Sequence, residues 1–217
     1  MSAQTLNLLY TATLETLYMT FVAAAIAALV GIPLGVLLYA TRPNNFLAKR
    51  SIYLPLGIVI NIGRSVPFMV LMLAIIPFTR FVAGSAIGNT AALVPLSISA
   101  IPFIARMVEN IINEVPKGLI EAAQAMGATP MQIVGKVLLP EARAGLINTM
   151  TIVIIALIGY TAIAGAIGAG GLGKVAKSYG YDRYKPEIMF ACVVILVIMV
   201  QCIQSLGDYL SKRADRR

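Results

Sequence analysis

The sequence predicts an all-α integral membrane protein with five transmembrane helices, and three observations carry that prediction. Apolar residues make up 59 % of the 217 residues and charged residues only 12 %. Soluble domains run at about 45–50 % apolar and about 25 % charged, so this chain has too few polar groups to cover a water-facing surface. Second, charged residues are absent between Glu15 and Arg42, Arg80 and Arg106, Arg143 and Lys174, and Glu187 and Asp208. Each of these runs holds the ~20 residues that cross ~30 Å of hydrocarbon. Third, the runs lack the period-two alternation of a transmembrane barrel strand. A disordered chain, a disulfide scaffold and a soluble enzyme are excluded on composition.

The spans follow in order at about 14–40, 57–78, 86–108, 145–168 and 188–208, in one transmembrane domain covering 1–217. The first is too long for the apolar core of a signal peptide and has no Lys or Arg before it. The second is interrupted only by Arg64, and its two halves are too short to cross separately, so it counts as one span. In the first span Gly31 and Gly35 form a small-xxx-small pair that lets another helix approach closely. A five-helix bundle is narrow for a solute path, so a dimer with the path on its two-fold axis is expected.

Five spans put the termini on opposite sides. Arg42, Lys49 and Arg50, then Arg106, Lys117, Lys136 and Arg143, then Lys212, Arg213, Arg216 and Arg217 share one side. Arg80, Lys174, Lys177, Arg183 and Lys185 fall on the other. The positive-inside rule puts the C-terminus in the cytoplasm and the N-terminus outside. The net charge of +8 is accounted for by this topology and does not call for nucleic acid. The chain has no His, which removes imidazole catalysis and His metal sites. Cys192 and Cys202 are ten residues apart in one apolar run, about 15 Å along a helix and too far for a disulfide.

The cytoplasmic connection 109–143 is amphipathic and too polar to span. Pro116 opens a helix over Lys117 to Met126, and Gly127 ends it in a left-handed conformation. Thr129, Pro130 and Gln132 read as a cap, a first-turn proline and a capping-box partner. A second helix follows to Leu139 and is punctuated by Pro140. Leu119, Ala122, Ala123 and Met126 fall on one face of the first helix. Spacing alone leaves two readings open: docking into a partner's groove, or lying on the lipid surface.

This segment resembles the cytoplasmic signature of bacterial ABC importer permeases. It reads Glu121-Ala122-Ala123, then Gly127, then Val137-Leu138-Leu139-Pro140, with Val137 where the family has Ile. Within that family the whole chain is similar to the methionine-importer subgroup. The stretches Arg64-Ser65-Val66-Pro67-Phe68, Pro102 to Asn110, Glu121 to Ala142 and Gly165 to Gly173 carry the likeness. The resemblance implies a type I importer permease fold with a cytoplasmic coupling helix. Glu121, Ala122, Ala123, Met126, Gly127, Thr129, Pro130, Leu139 and Pro140 would then meet an ATP-hydrolysing subunit. It further implies a second copy of this chain, two ATP-binding subunits, an external substrate-binding lipoprotein, and methionine as solute, with another amino acid or small solute as the alternative; a passive channel, which would leave the coupling motif without a purpose, is the other reading. The chain binds no cofactor on this reading; ATP and magnesium belong to the partner ATPase.

Arg64 is the one charge inside an apolar stretch, and such residues face a bundle interior or a cavity, or snorkel to the headgroups. Both readings stay open on sequence. Ser97, Ser99 and Tyr160 are polar groups at membrane depth, and most such hydroxyls bond to neighbouring backbone. Phe68 and Ile163 are candidates for an apolar gate. Gly168, Gly170 and Gly173 match a dinucleotide fingerprint by spacing, and Gly168, Gly173 and Lys174 match most of a phosphate loop. Both fail in context, because no strand precedes them and Val175 stands where magnesium needs Ser or Thr. The glycines are expected to let the chain turn sharply as it leaves the fourth span.

Overall fold

The computed structural model describes residues 3–215. Arg216 and Arg217, counted above among the cytoplasmic basic residues, lie outside the described residues. Four helices are long and apolar enough to cross a membrane: Ala3–Thr41 (α1), Asn89–Asn113 (α5), the continuous helix Pro130–Ile167 and Pro186–Ala214 (α10). A fifth crossing is available from Arg50–Ser65 (α2) and Phe68–Ala74 (α3) taken together, which are bent by 102° at their junction.

That bend corrects the expectation of one unbroken second span. Proline disfavours helical backbone in the residue before it. Val66, before Pro67, is extended at φ −83° and ψ 121°, and α3 begins again at Phe68. A further short helix, Ile76–Ala83 (α4), follows and ends on Gly84 in left-handed backbone.

The bundle is assembled around α5. Gly31 and Gly35 of α1 face it: a methyl group on Gly31 would sit 2.8 Å from Cβ of Ile104, and one on Gly35 would sit 2.5 Å from the carbonyl of Ala105. The small-xxx-small pair therefore serves packing within one chain rather than between two copies. Met19, Ala23, Ala27, Leu96, Ile104 and Val108 are almost fully buried along this seam, and Val153 and Leu157 of the fourth crossing close the same core. α10 lies on the far side, where Cys192 is buried against Leu9, Leu172 and Ile188, and Cys202 is exposed.

Among the described residues one charged cluster is buried. Arg106 of α5 donates to Glu109 at 2.5 Å and to Oδ1 of Asn61 in α2 at 2.7 Å, and Glu109 is only 3 % exposed. A charge taken out of water needs this pairing to be tolerated. It ties the broken second crossing to the last turns of α5.

Candidate functional site: coupling segment and membrane cleft

The connection between α5 and the fourth crossing folds as its local signals require. Lys117–Ala125 (α6) starts after Pro116, and Gly127 has φ +76°, the left-handed value that ends the helix. Thr129 Oγ1 accepts from the Gln132 amide at 3.4 Å, and Gln132 Oε1 accepts from the Thr129 amide at 2.8 Å, which completes the expected capping box. Pro130–Ile133 (α7) begins there.

The structure departs from expectation at Pro140. The second helix does not stop there. It passes through a wide π-helical turn at Val134–Leu138, where the Leu139 amide bonds the carbonyl of Val134, and continues as Leu139–Ile167 (α8). Proline inside a helix lacks an N–H and crowds the carbonyl four residues back. The wide turn just before Pro140 relieves that conflict, so the second arm of the segment is one piece with the transmembrane helix.

The face of α6 is also regrouped. Ile120 and Ala123 are buried in the main core, so Ala123 does not share a free surface with its expected neighbours. Leu119, Glu121, Ala122, Met126, Gly127, Thr129 and Pro130 are exposed, as is Pro140, while Leu139 is half-buried. Met126 at 81 % and Met131 at 80 % exposure stand on either side of the Gly127 turn, and flexible thioethers of this kind suit a protein groove. Sequence reasoning missed the neighbour of this segment. Asn44, Asn45 and Phe46, from the loop after α1, line a shallow cavity of about 200 Å³ with Lys117, Ile120, Glu121 and Gln124. Asn44 has φ +70°, and Asn45 is tied to the Tyr39 carbonyl at 2.6 Å. An Asn-Asn pair tolerant of left-handed backbone was the available signal.

Four of the six membrane-depth candidates converge. Arg64, Phe68, Ser99 and Tyr160 line one cleft of about 250 Å³, together with Phe103 and Val153. The Phe68 and Tyr160 rings stack with centroids 4.6 Å apart and planes 7° from parallel. The Arg64 guanidinium lies 5.9 Å from the centre of the Phe103 ring, within cation–π range. The Ser99 hydroxyl donates to the Leu96 carbonyl at 2.8 Å, so its donor is already used. Ser97 is buried elsewhere, with its hydroxyl unpartnered, and Ile163 is exposed away from the cleft.

The glycine-rich turn after α8 is filled from within. The Gly170 amide donates to Asn89 Oδ1 at 2.7 Å, the Gly171 amide to Glu15 Oε2 at 2.6 Å, and the Leu172 amide to Thr16 Oγ1 at 2.9 Å. Three successive amides that could hold a phosphate hold the chain's own side chains instead. A methyl group on Gly170 would collide with Glu15 and Asn89, and one on Gly173 with the Ala162 backbone. The turn knots α1, α5 and α8 together through the short helix Gly171–Val175 (α9).

Comparison with known proteins decides the family. Residues 31–216 match the model of the binding-protein-dependent transport system inner membrane component. The chain belongs to that family. It is a multi-pass transmembrane permease component of an ABC transporter, as the resemblance in the sequence implied. It is 54 % identical to the probable D-methionine transport system permease protein MetI of Vibrio cholerae, over 97 % of this chain and 94 % of that one. It is 56 % identical to the D-methionine transport system permease protein MetI of Escherichia coli K12 over 70 % of each chain. A solved structure of the MetNI methionine ABC transporter in an inward-facing conformation superposes with a TM-score of 0.98 at 51 % identity, covering 100 % of both chains.

Proposed function

We propose that this permease carries methionine, as a pair of identical copies joined to two ATP-binding subunits and fed by an external substrate-binding lipoprotein. Its N-terminus faces outward and its C-terminus the cytoplasm, which brings the α6–α7 segment to the ATPase. The observation that supports this reading most directly is the exposed Met126–Gly127–Thr129–Met131 turn on an arm continuous with α8. A helix rigidly continued into the membrane transmits displacement; a loop would absorb it. ATP closes the partner dimer, the segment moves with its docking cleft, and the two permeases exchange an inward-open for an outward-open arrangement. The chain contributes two arrangements of similar stability and no bond chemistry. ATP and magnesium remain with the partner subunits.

The cleft of Arg64, Phe68, Ser99 and Tyr160 is the part of the pathway this chain supplies. Arg64 is level with Phe103, ten residues before the end of α5 at Asn113. Arg64 also lines the same cleft as Ser99 and Tyr160, and that placement supports a role facing the cavity. Ile163 stays a gate candidate across the dimer axis, where a partner copy would meet it.

The test is uptake of radiolabelled L-methionine into proteoliposomes holding this chain, its ATPase and its binding protein. ATP-dependent accumulation competed by unlabelled methionine is expected. ATP hydrolysis without methionine uptake would keep the assembly and change the solute. Uptake without any ATPase would replace the importer with a channel.

A further inference from the structure

At the end of the bundle opposite the coupling segment, α3, α4 and the loop to α5 enclose a cavity of about 210 Å³. Its volume is more than ten times the ~10–15 Å³ that one water requires. The walls are apolar, with Met72, Leu73, Ile76, Ile87 and Pro95 among them, and two polar groups break that lining: Thr79 and Arg80. Thr79 is 4 % exposed, and its hydroxyl has no hydrogen-bond partner. Arg80 is exposed, and among the described residues no carboxylate pairs with it. Around it α4 turns large apolar groups outward: Phe78 is 49 % exposed, Phe81 87 % and Val82 56 %. In the topology read from the sequence, Arg80 ends the second crossing, where a basic side chain meets lipid headgroups while the phenylalanines beside it meet acyl chains.

These features ask for one kind of ligand: a negative head, an acceptor a few bonds inward, and a flexible apolar chain. We propose that this cavity is a binding site for an anionic glycerophospholipid. Arg80 takes the phosphate, the buried Thr79 hydroxyl donates to an acyl ester carbonyl, and the first part of the acyl chain lies along Met72, Leu73 and Ile76. A free anion satisfies Arg80 alone and leaves the apolar cavity and the inner hydroxyl unmatched. A zwitterionic lipid fills the cavity but brings its own cation to Arg80. The site requires only that the chain is embedded in a bilayer, so it stands apart from the identity of the solute.

Native mass spectrometry of the assembled transporter, titrated with phosphatidylglycerol, phosphatidylcholine or inorganic phosphate, tests the site. Phosphatidylglycerol is expected to be retained and phosphatidylcholine and inorganic phosphate are not. Arg80→Gln is expected to weaken retention about fivefold and Arg80→Lys to restore most of it, the effect of one basic residue near an anionic surface. Thr79→Val, of the same shape without the hydroxyl, is expected to weaken it also, and Ala91→Leu to do so by filling the cavity. Equal retention of the two lipids, or retention unchanged in both Arg80→Gln and Ala91→Leu, would overturn the site. So would binding of phosphate alone, displacement of the lipid by methionine, or a disulfide between two copies through Ile87→Cys, which would show that a second chain covers the face.

Discussion

The turn at Gly168–Gly173 and the turn at Gly127 lie at opposite ends of the molecule and use glycine differently. At the first, glycine makes room: side chains of Glu15, Thr16 and Asn89 and the backbone of Ala162 occupy the space a Cβ would need. At the second nothing lies within 4 Å of an added Cβ, and glycine is present only for its backbone angle of +76°. One turn has all its partners inside the chain. The other is finished, capped and left open. A segment whose geometry is fully specified while its surface stays empty is shaped for something outside the chain.

That contrast can be broken by substitution, and stability and coupling should respond in opposite order. The largest loss of stability is expected for Gly173→Ala. Its methyl meets backbone that cannot rotate away, so overpacking costs about 3 kcal/mol or more and little folded permease should survive gel filtration in detergent. Glu15→Ala comes next. It leaves the Gly171 amide without its acceptor, at about 1–3 kcal/mol, read as a lowered melting temperature that Glu15→Gln partly restores. Gly127→Val follows, with about 1–2 kcal/mol of left-handed strain in an otherwise open position. Here the membrane-inserted chain should persist while uptake is lost; undiminished uptake would remove the lever from the mechanism. The smallest stability change, within about 0.5 kcal/mol, is expected for Glu121→Lys on the exposed face of α6. Its effect should appear as failure to co-purify with the ATPase, and full co-purification would show that Glu121 lies outside the docking surface.

What the sequence made legible follows the range of the determining interactions. The capping box and the Gly127 turn are settled within four residues, and Thr129, Pro130 and Gln132 announced them. The crossings were visible because hydrophobic length is itself a local property. The knot at Gly170–Leu172 was not, since its acceptors lie 81 and 156 residues away in the chain. The glycine spacing there matched most of a phosphate loop and its sequence context already ruled one out, but only the fold shows which acceptors occupy the amides. Pro67 and Pro140 were both in view, yet one breaks a helix and the other does not. The difference lies upstream: five residues ahead of Pro140 the helix has room to widen, whereas Val66 is driven directly into extended backbone. The convergence of Arg64, Phe68, Ser99 and Tyr160 needed the bend between α2 and α3, which brings Phe68 onto the Tyr160 ring.

The wide turn at Val134–Leu138 also sets an angle. One residue beyond the ordinary helical count advances the helix by about 100° around its axis. The α6–α7 arm therefore points roughly a quarter-turn away from where a straight continuation of α8 would aim it. Compass direction, as well as reach, is encoded in the few residues before Pro140. Removing a single residue there, such as Gly135, would leave every exposed side chain of α6 and α7 intact and swing that face round to a new heading.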